Sequence, residues 1–337
     1  MMTEAMTKER RALAPGIAAI LLVTVSGAAA AATAWKPEKN VEIVINTAPG
    51  SGQDATGRTI QGILQERKLV EVPIAIVNKP GGGGVIAYTY LNQRRGDGNL
   101  VAIASKSLLT NHIMGRAPLT YTDLTPVAIL FEEYISVAVK ADSPIKSGRE
   151  MLERMKKDPA SLSFGVATSL GNPNHQGVAS ALKAVGVDLK KTKNVVFQSG
   201  GNALTALLGG HVDVVPGSVG LMKSHLEAGT IRLIAIASPK RLTEIFATTP
   251  TWKEQGADVT VSNWRGLVGP SGMTAEQLAF WDTAMRGLSQ SDGWKKELDA
   301  NYWANDYTAS REARAYLDAD YAALKAFLTE IDLAARK

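Results

Sequence analysis

Apolar residues in this chain come in short runs. Each run is closed by a glycine-rich or polar turn, and a stretch with helical spacing follows. Residues 41–46 are a β-branched run that ends at Pro49-Gly50-Ser51-Gly52. Residues 56–68 then place Ile60, Ile63 and Leu64 on one helix face. Ile74–Asn78 predicts a second strand, closed by Lys79-Pro80 and glycines 81–84, and 85–94 predicts a second helix. Asp97-Gly98 marks a turn and Leu100–Ser105 a third strand. Strand, glycine loop, helix, strand is the order of a parallel α/β sheet.

Further on, 127–130 and 135–139 read as two strands, and 144–157 as a turn and helix. Ser163–Ala167 is a strand that runs into the polar loop 168–174 and a helix over 176–185. Residues 195–198 are a strand, Ser199-Gly200-Gly201 a turn, and 202–208 a helix. Strands are expected at 212–215 and 231–237, then a mostly helical tail from 275 with one strand near 302–307. No repeat or low-complexity linker interrupts the alternation. It therefore predicts two α/β lobes between which the chain passes more than once.

The N-terminus departs from this pattern. Lys8, Arg10 and Arg11 precede an uncharged apolar stretch over 12–25 and a small-residue stretch over 26–34, the three-part form of a secretory signal. An Ala-x-Ala cleavage site ends at Ala30, Ala32 or Ala34. The rival is an uncleaved anchor, since 12–34 is uncharged and a span needs about 20 residues, but its second half is only weakly apolar. The signal reading places the protein in the periplasm.

Composition narrows the classes. A chain of 337 residues with 45% hydrophobic and 20% charged positions is neither disordered nor collagen-like. It has no cysteine, which excludes disulfides, thiolate zinc sites and cysteine nucleophiles. The net charge is +5. Residues 1–34 hold three basic and two acidic residues, so the remainder carries +4. These charges are scattered, without the basic stripe that nucleic acid requires. A mild positive charge suits a small anion.

The candidate chemistry lies in four loops at strand-to-helix junctions: 48–54, 79–84, 168–174 and 198–202. Helix N-termini leave backbone N–H groups unpaired, and glycine lets a ligand approach them. Gly50-Ser51-Gly52-Gln53-Asp54-Ala55 also fits a dinucleotide fingerprint, but Asn78 stands where the ribose-binding acid belongs. Walker and nucleophile-elbow motifs are absent from the sequence, and the four histidines lack metal-ligand spacing. No enzyme, no metal and no cofactor are expected. Asp54 reads either as a helix-capping aspartate or as a pocket residue. Trp264 is the tryptophan expected at a hinge or cleft.

These loops carry a resemblance. Ala48-Pro49-Gly50-Ser51-Gly52-Gln53-Asp54 with Arg58 and Asn78-Lys79-Pro80-Gly81-Gly82-Gly83-Gly84 come first. Leu207-Leu208-Gly209-Gly210-His211-Val212-Asp213, Ala228-Gly229-Thr230-Ile231-Arg232 and Trp264-Arg265-Gly266-Leu267 follow. In this order and spacing they resemble substrate-binding proteins of the tripartite tricarboxylate transporter system, the TctC-like or Bug family. The resemblance implies a type II periplasmic binding protein, an α/β fold of two lobes joined by two crossing strands. Lobe 1 would hold 35–135 plus 240–337, and lobe 2 would hold 136–239. The implied ligand is a small carboxylate in the inter-lobe cleft, and the implied partners are membrane permease subunits that read the closed form of a monomer. A sensor that reports to a signalling partner would use the same closed form. The ligand-binding residues implied are Gly50, Ser51, Gln53, Asp54, Gly82, Gly83, Gly84, Ser105 and Ser107 from lobe 1. From lobe 2 they are Thr168, Ser169, Asn174, His175, Gln198 and Ser199. The sequence departs from the family's common pattern at Phe197-Gln198-Ser199 and Gly217-Ser218, so the distal half of the pocket is its own. Lys106 is read as either a cleft cation or a solvated lysine.

Overall fold

The sheet grows outward from β1 (Val41–Ile45), whose apolar residues are buried on both faces. The structure is a computed structural model that describes residues 35–335; the expected signal segment, 1–34, lies outside the described residues. β2 (Ile74–Asn78) and β3 (Leu100–Ser105) flank β1 in parallel, with Val41 opposite Ile74 and Glu42 opposite Leu100. Between them run α1 (Gly52–Glu66) and α2 (Val85–Asn92). α1 starts where it does because Ser51 caps it, its hydroxyl accepting from the Asp54 N–H at 3.2 Å. After β3 comes α3 (Ser107–Ile113).

β4 (Thr125–Lys140) is a single strand of 16 residues where two short strands were expected. The pattern breaks at Glu132 and Glu133, yet both carboxylates have partners there. The Tyr316 hydroxyl donates to Glu132 at 2.6 Å, and Arg265 and Asn263 donate to Glu133 at 2.7 and 2.9 Å. The strand therefore continues through them and enters two halves of the protein. Its first part pairs antiparallel with β9 (Ser262–Gly269) and β10 (Ala304–Ala309). Its last part, from Ile135, pairs antiparallel with β7 (Val215–Ser218) and β8 (Ile231–Ile236). The order β10-β4-β9-β3-β1-β2 makes the first half a mixed sheet, not the purely parallel one expected.

The second half holds α4 (Gly148–Lys157), β5 (Ser163–Ala167), α5 (Pro173–Ala184), β6 (Lys193–Phe197), α6 (Gly200–Leu208) and α7 (Val219–Glu227). β5 and β6 form a parallel pair. The strand expected at 212–215 begins three residues later, and Val214 makes only an isolated bridge to Phe164. The remaining helices, α8 (Ala275–Ser289), α9 (Asp292–Asn301) and α10 (Ser310–Glu330), return to the first sheet.

Each half has apolar cores on both faces of its strands. In the first, Ile60, Trp281 and Trp294 pack on one face, and Leu91, Leu109 and Leu317 on the other. In the second, Met151 and Val178 oppose Leu204 and Met222. Residues 240–261, expected with the first lobe, pack here instead. Trp252 is fully buried against α5, and its indole N–H donates to the Gly177 carbonyl at 2.8 Å. The chain passes between halves at Tyr134–Ile135, and again where Val261 leaves the second core and Ser262 pairs with Tyr134. Trp264 is not exposed to a cleft. It is buried in the first core and donates to Asp320 at 2.8 Å.

Two predictions follow from this packing. Gly266 sits between β3 and β4, and a Cβ there would stand 2.2 Å from the Ala128 carbonyl oxygen. Gly266→Ala is expected to cost ~1–3 kcal/mol by forcing the strands apart. Gly62→Ala, on the open face of α1, is expected to add about 0.5–1 kcal/mol. Chemical denaturation of the two variants checks both signs. His175, in the first turn of α5, is buried and its Nδ1 accepts the Gly171 N–H at 3.0 Å. Burial pulls it from 6.5 down to about 4. Between those values the unfolded chain binds a proton that the folded chain does not, so stability falls as pH drops through that window. His175→Gln should show a flatter fall over the same range in melting curves.

Candidate functional site

The C-terminal ends of β1, β2 and β3 point toward the loop that follows β5, and a cavity of about 870 Å³ opens between them. Its first wall comes from Asn46, Thr47, Ala48 and Gln53 after β1, Pro80, Gly81 and Gly82 after β2, and Ser107, Thr110, Asn111 and Arg116 after β3. Its second wall is Thr168, Ser169, Leu170 and Val196. Parallel strands aim their carboxyl ends and the following helix N-termini at such a crevice, which is where α/β sheets hold ligands.

The first wall is fixed by a buried carboxylate. Asp54 is 3% exposed and accepts the Gly50 N–H at 3.0 Å, Arg58 Nε at 2.9 Å and the Asn78 amide at 2.9 Å. The Arg58 hydrogen bond, then those from Gly50 and Asn78, hold its carboxyl down at about 2. Asn78 also donates to the Thr47 carbonyl at 3.0 Å, so the residue where a dinucleotide site needs an acid instead ties the loop to the sheet. Gly84 stands behind the wall. It has φ +105°, and a Cβ there would press on Tyr88 and the Asn46 amide. That amide donates to the Tyr88 hydroxyl at 3.0 Å, while Asn46 Oδ1 and Gln53 Oε1 are buried without a partner.

The second wall is held by strain. Thr168 has φ +59°, a left-handed conformation rare for a β-branched residue and costing ~1–3 kcal/mol. Its N–H donates to the Phe197 carbonyl at 2.6 Å, and the Asn172 amide reaches its hydroxyl at 2.9 Å and the Ala167 carbonyl at 2.6 Å. The result aims Ser169 and Leu170 across the cavity.

Of the residues expected at the site, Gln53, Gly82, Ser107, Thr168 and Ser169 line this cavity. The others do not. Gly50 and Ser51 form the turn and cap behind it, Asp54 is buried with its own partners, and Gly83 and Gly84 begin the next helical turn. Ser105 is buried at the end of β3, and His175 beneath the second wall. Asn174 lies one residue into α5, and Gln198 and Ser199 are exposed, with the Ser199 hydroxyl accepting the Asn202 N–H to cap α6. Lys106 fits neither of its expected readings. It is 8% exposed and pairs with Asp320 at 3.2 Å.

Asn46, Thr47, Arg116 and Val196 line the cavity from outside the four expected loops, and Leu170 from within the expected loop 168–174. Polar residues at the end of an apolar strand were the available signal for Asn46 and Thr47. Arg116 and Val196 carry no local signal. Among the described residues no His, Asp and Glu cluster could hold a metal ion. A second cavity of about 540 Å³, beside Tyr134 and Tyr302, is lined by Lys240, Arg241, Glu244 and Asp299, of which Glu244 accepts from Tyr302 and Arg241 pairs with Glu254.

Comparison with known proteins agrees with this geometry. The family model described as the tripartite tricarboxylate transporter family receptor, TctC, matches residues 58–333. A Cupriavidus necator protein, the UPF0065 protein in the gbd 5′ region, is 27% identical, covering 70% of each chain. A TctC solute binding protein from Polaromonas superposes with a TM-score of 0.71 at 25% identity, over 87% of this chain and 99% of that one. An R. palustris protein with adipate gives a TM-score of 0.76 at 22% identity, over 88% and 99%. The fold, the two-walled cleft and the family match agree: this chain belongs to the receptors of the tripartite tricarboxylate transporter family.

Proposed function

We propose that the protein is a periplasmic solute receptor that captures a small organic acid between its two lobes and delivers it to membrane permease subunits. The observation that carries this reading is the two-walled cavity. Gln53, Gly81 and Gly82 line its first wall, and their backbone N–H groups make no hydrogen bond among the described residues. Such groups at helix starts receive carboxylates. The adipate held by the R. palustris protein, on the same fold, supports a carboxylate as ligand. The lobes are proposed to turn about the β4 and β9 crossings, so that one ligand touches both walls only when the cleft shuts. The closed monomer is then what the permease reads.

Binding, not catalysis, suits the site. Each titratable group that could act on a ligand is already engaged: Asp54 with Arg58, Lys106 with Asp320, and His175 with Gly171. No helix among the described residues is long and apolar enough to cross a membrane. An exported receptor loaded at the outer face of its permease has no need of one.

Thermal unfolding of the full chain against a panel of organic acids tests the reading. A ligand at 100 times its Kd adds about 2.7 kcal/mol, which raises the midpoint of a chain this long by roughly 4 °C. Ser169→Trp should fill the cavity and erase the shift without lowering the unliganded midpoint. Silence across all acids in the parent protein, or an undiminished shift in the variant, would count against it.

A further inference from the structure

The two walls of the cleft differ in charge and in hydrogen-bonding capacity. Arg116 lines the first wall, is exposed, and has no carboxylate partner among the described residues. The other cations nearby are engaged. Arg58 is held by Asp54, Lys106 by Asp320, and Lys79 lies 3.9 Å over the Tyr90 ring. No Asp or Glu lines the cavity, so an ammonium group would find no counter-charge. Arg116, sharing the first wall with Gln53, Gly81 and Gly82, therefore supplies the cavity's one lining cation for a carboxylate among the described residues.

The second wall has little to offer an anion. The Thr168 N–H is bound to Phe197 O at 2.6 Å and the Ser169 N–H to Ala167 O at 2.7 Å. The Thr168 hydroxyl oxygen accepts from the Asn172 amide at 2.9 Å, which leaves its own O–H to donate. The surface left is uncharged: the Thr168 and Ser169 hydroxyls with Leu170 and Val196, the last 49% exposed. A second carboxylate here would lose its water shell and meet neutral donors but no cation, whereas methylene or aryl carbons would be sheltered.

We infer that the cleft selects a monocarboxylate with an uncharged, apolar remainder, and that Arg116 is the specificity-determining cation for its carboxylate. This rests on the receptor reading above. Selection is then by mismatch as well as by contact: a dicarboxylate of equal length presents its second charge to Leu170 and Val196.

Hexanoate and adipate make the test, because they differ only in the second carboxylate. Calorimetric titration of the full chain should show hexanoate bound about tenfold or more tighter than adipate. Arg116→Gln should weaken hexanoate by a similar factor, with Arg116→Lys recovering part of the loss. Val196→Lys, at an exposed position, should narrow or reverse the preference by giving the second wall a cation. Tighter binding of adipate than hexanoate by the parent protein, or hexanoate affinity unchanged in Arg116→Gln, overturns this inference and leaves the receptor reading standing. Binding of neither acid, with the organic acid panel also silent, overturns both.

Discussion

Glu133 stands where the two halves meet, and the architecture depends on what it holds. It lies on β4 one residue before the strand leaves the first half, and Arg265 of β9 donates to it at 2.7 Å. Both side chains are nearly enclosed, 12% and 13% exposed. A buried pair of this kind contributes little net stability against an apolar replacement, yet removing one partner leaves a stranded charge and costs ~3–5 kcal/mol. What it fixes is register. Glu133 opposes Asn263 and Tyr134 opposes Ser262, so both crossings stay side by side. The ends of β1, β2 and β3 can then face Thr168 and Ser169 across a defined gap.

The same economy of charge shapes the cleft. Asp54 and Lys106 are ionisable groups beside a ligand cavity, and each is enclosed with an opposite charge from its own half. Asp320 serves twice, holding Lys106 and accepting the indole N–H of Trp264. A site cleared of stray charge in this way lets one guanidinium and a few backbone dipoles decide what binds. It also keeps the walls rigid, since Asp54, Lys106 and the Thr168 N–H are each tied to a partner of their own.

Much of the α/β framework can be read from the sequence, because β3 and β5 are apolar runs bounded by turn residues and buried as such. β4 and β9 are harder to read. Their middles, Glu132-Glu133 and Asn263-Trp264-Arg265, look polar until each is seen to partner the other. The site divides in the same way. Gln53, Gly82, Ser107, Thr168 and Ser169 follow strand ends directly, where local pattern is informative. Asp54 and His175 sit in the same loops but face inward to their own partners. Arg116 and Val196 meet only because two distant segments close on one space, which no window of sequence contains.

The path of the chain has a consequence for assembly. β3 is bordered by β9, which follows the entire second half in sequence, and buried Lys106 finds its counter-charge only on α10. A chain emerging from its N-terminus therefore has β1 to β3 waiting with an open edge, and one lysine without an anion, until the last helix is delivered. The second half is continuous from Ile135 to Val261, and the buried residues of its two cores all lie within that span, with Tyr302 of the later chain packing only on their edge. It can condense first, while the half that supplies the Gly-rich loops stays unfinished. Such a chain stays threadable, and unable to hold its ligand, until its final residues are free.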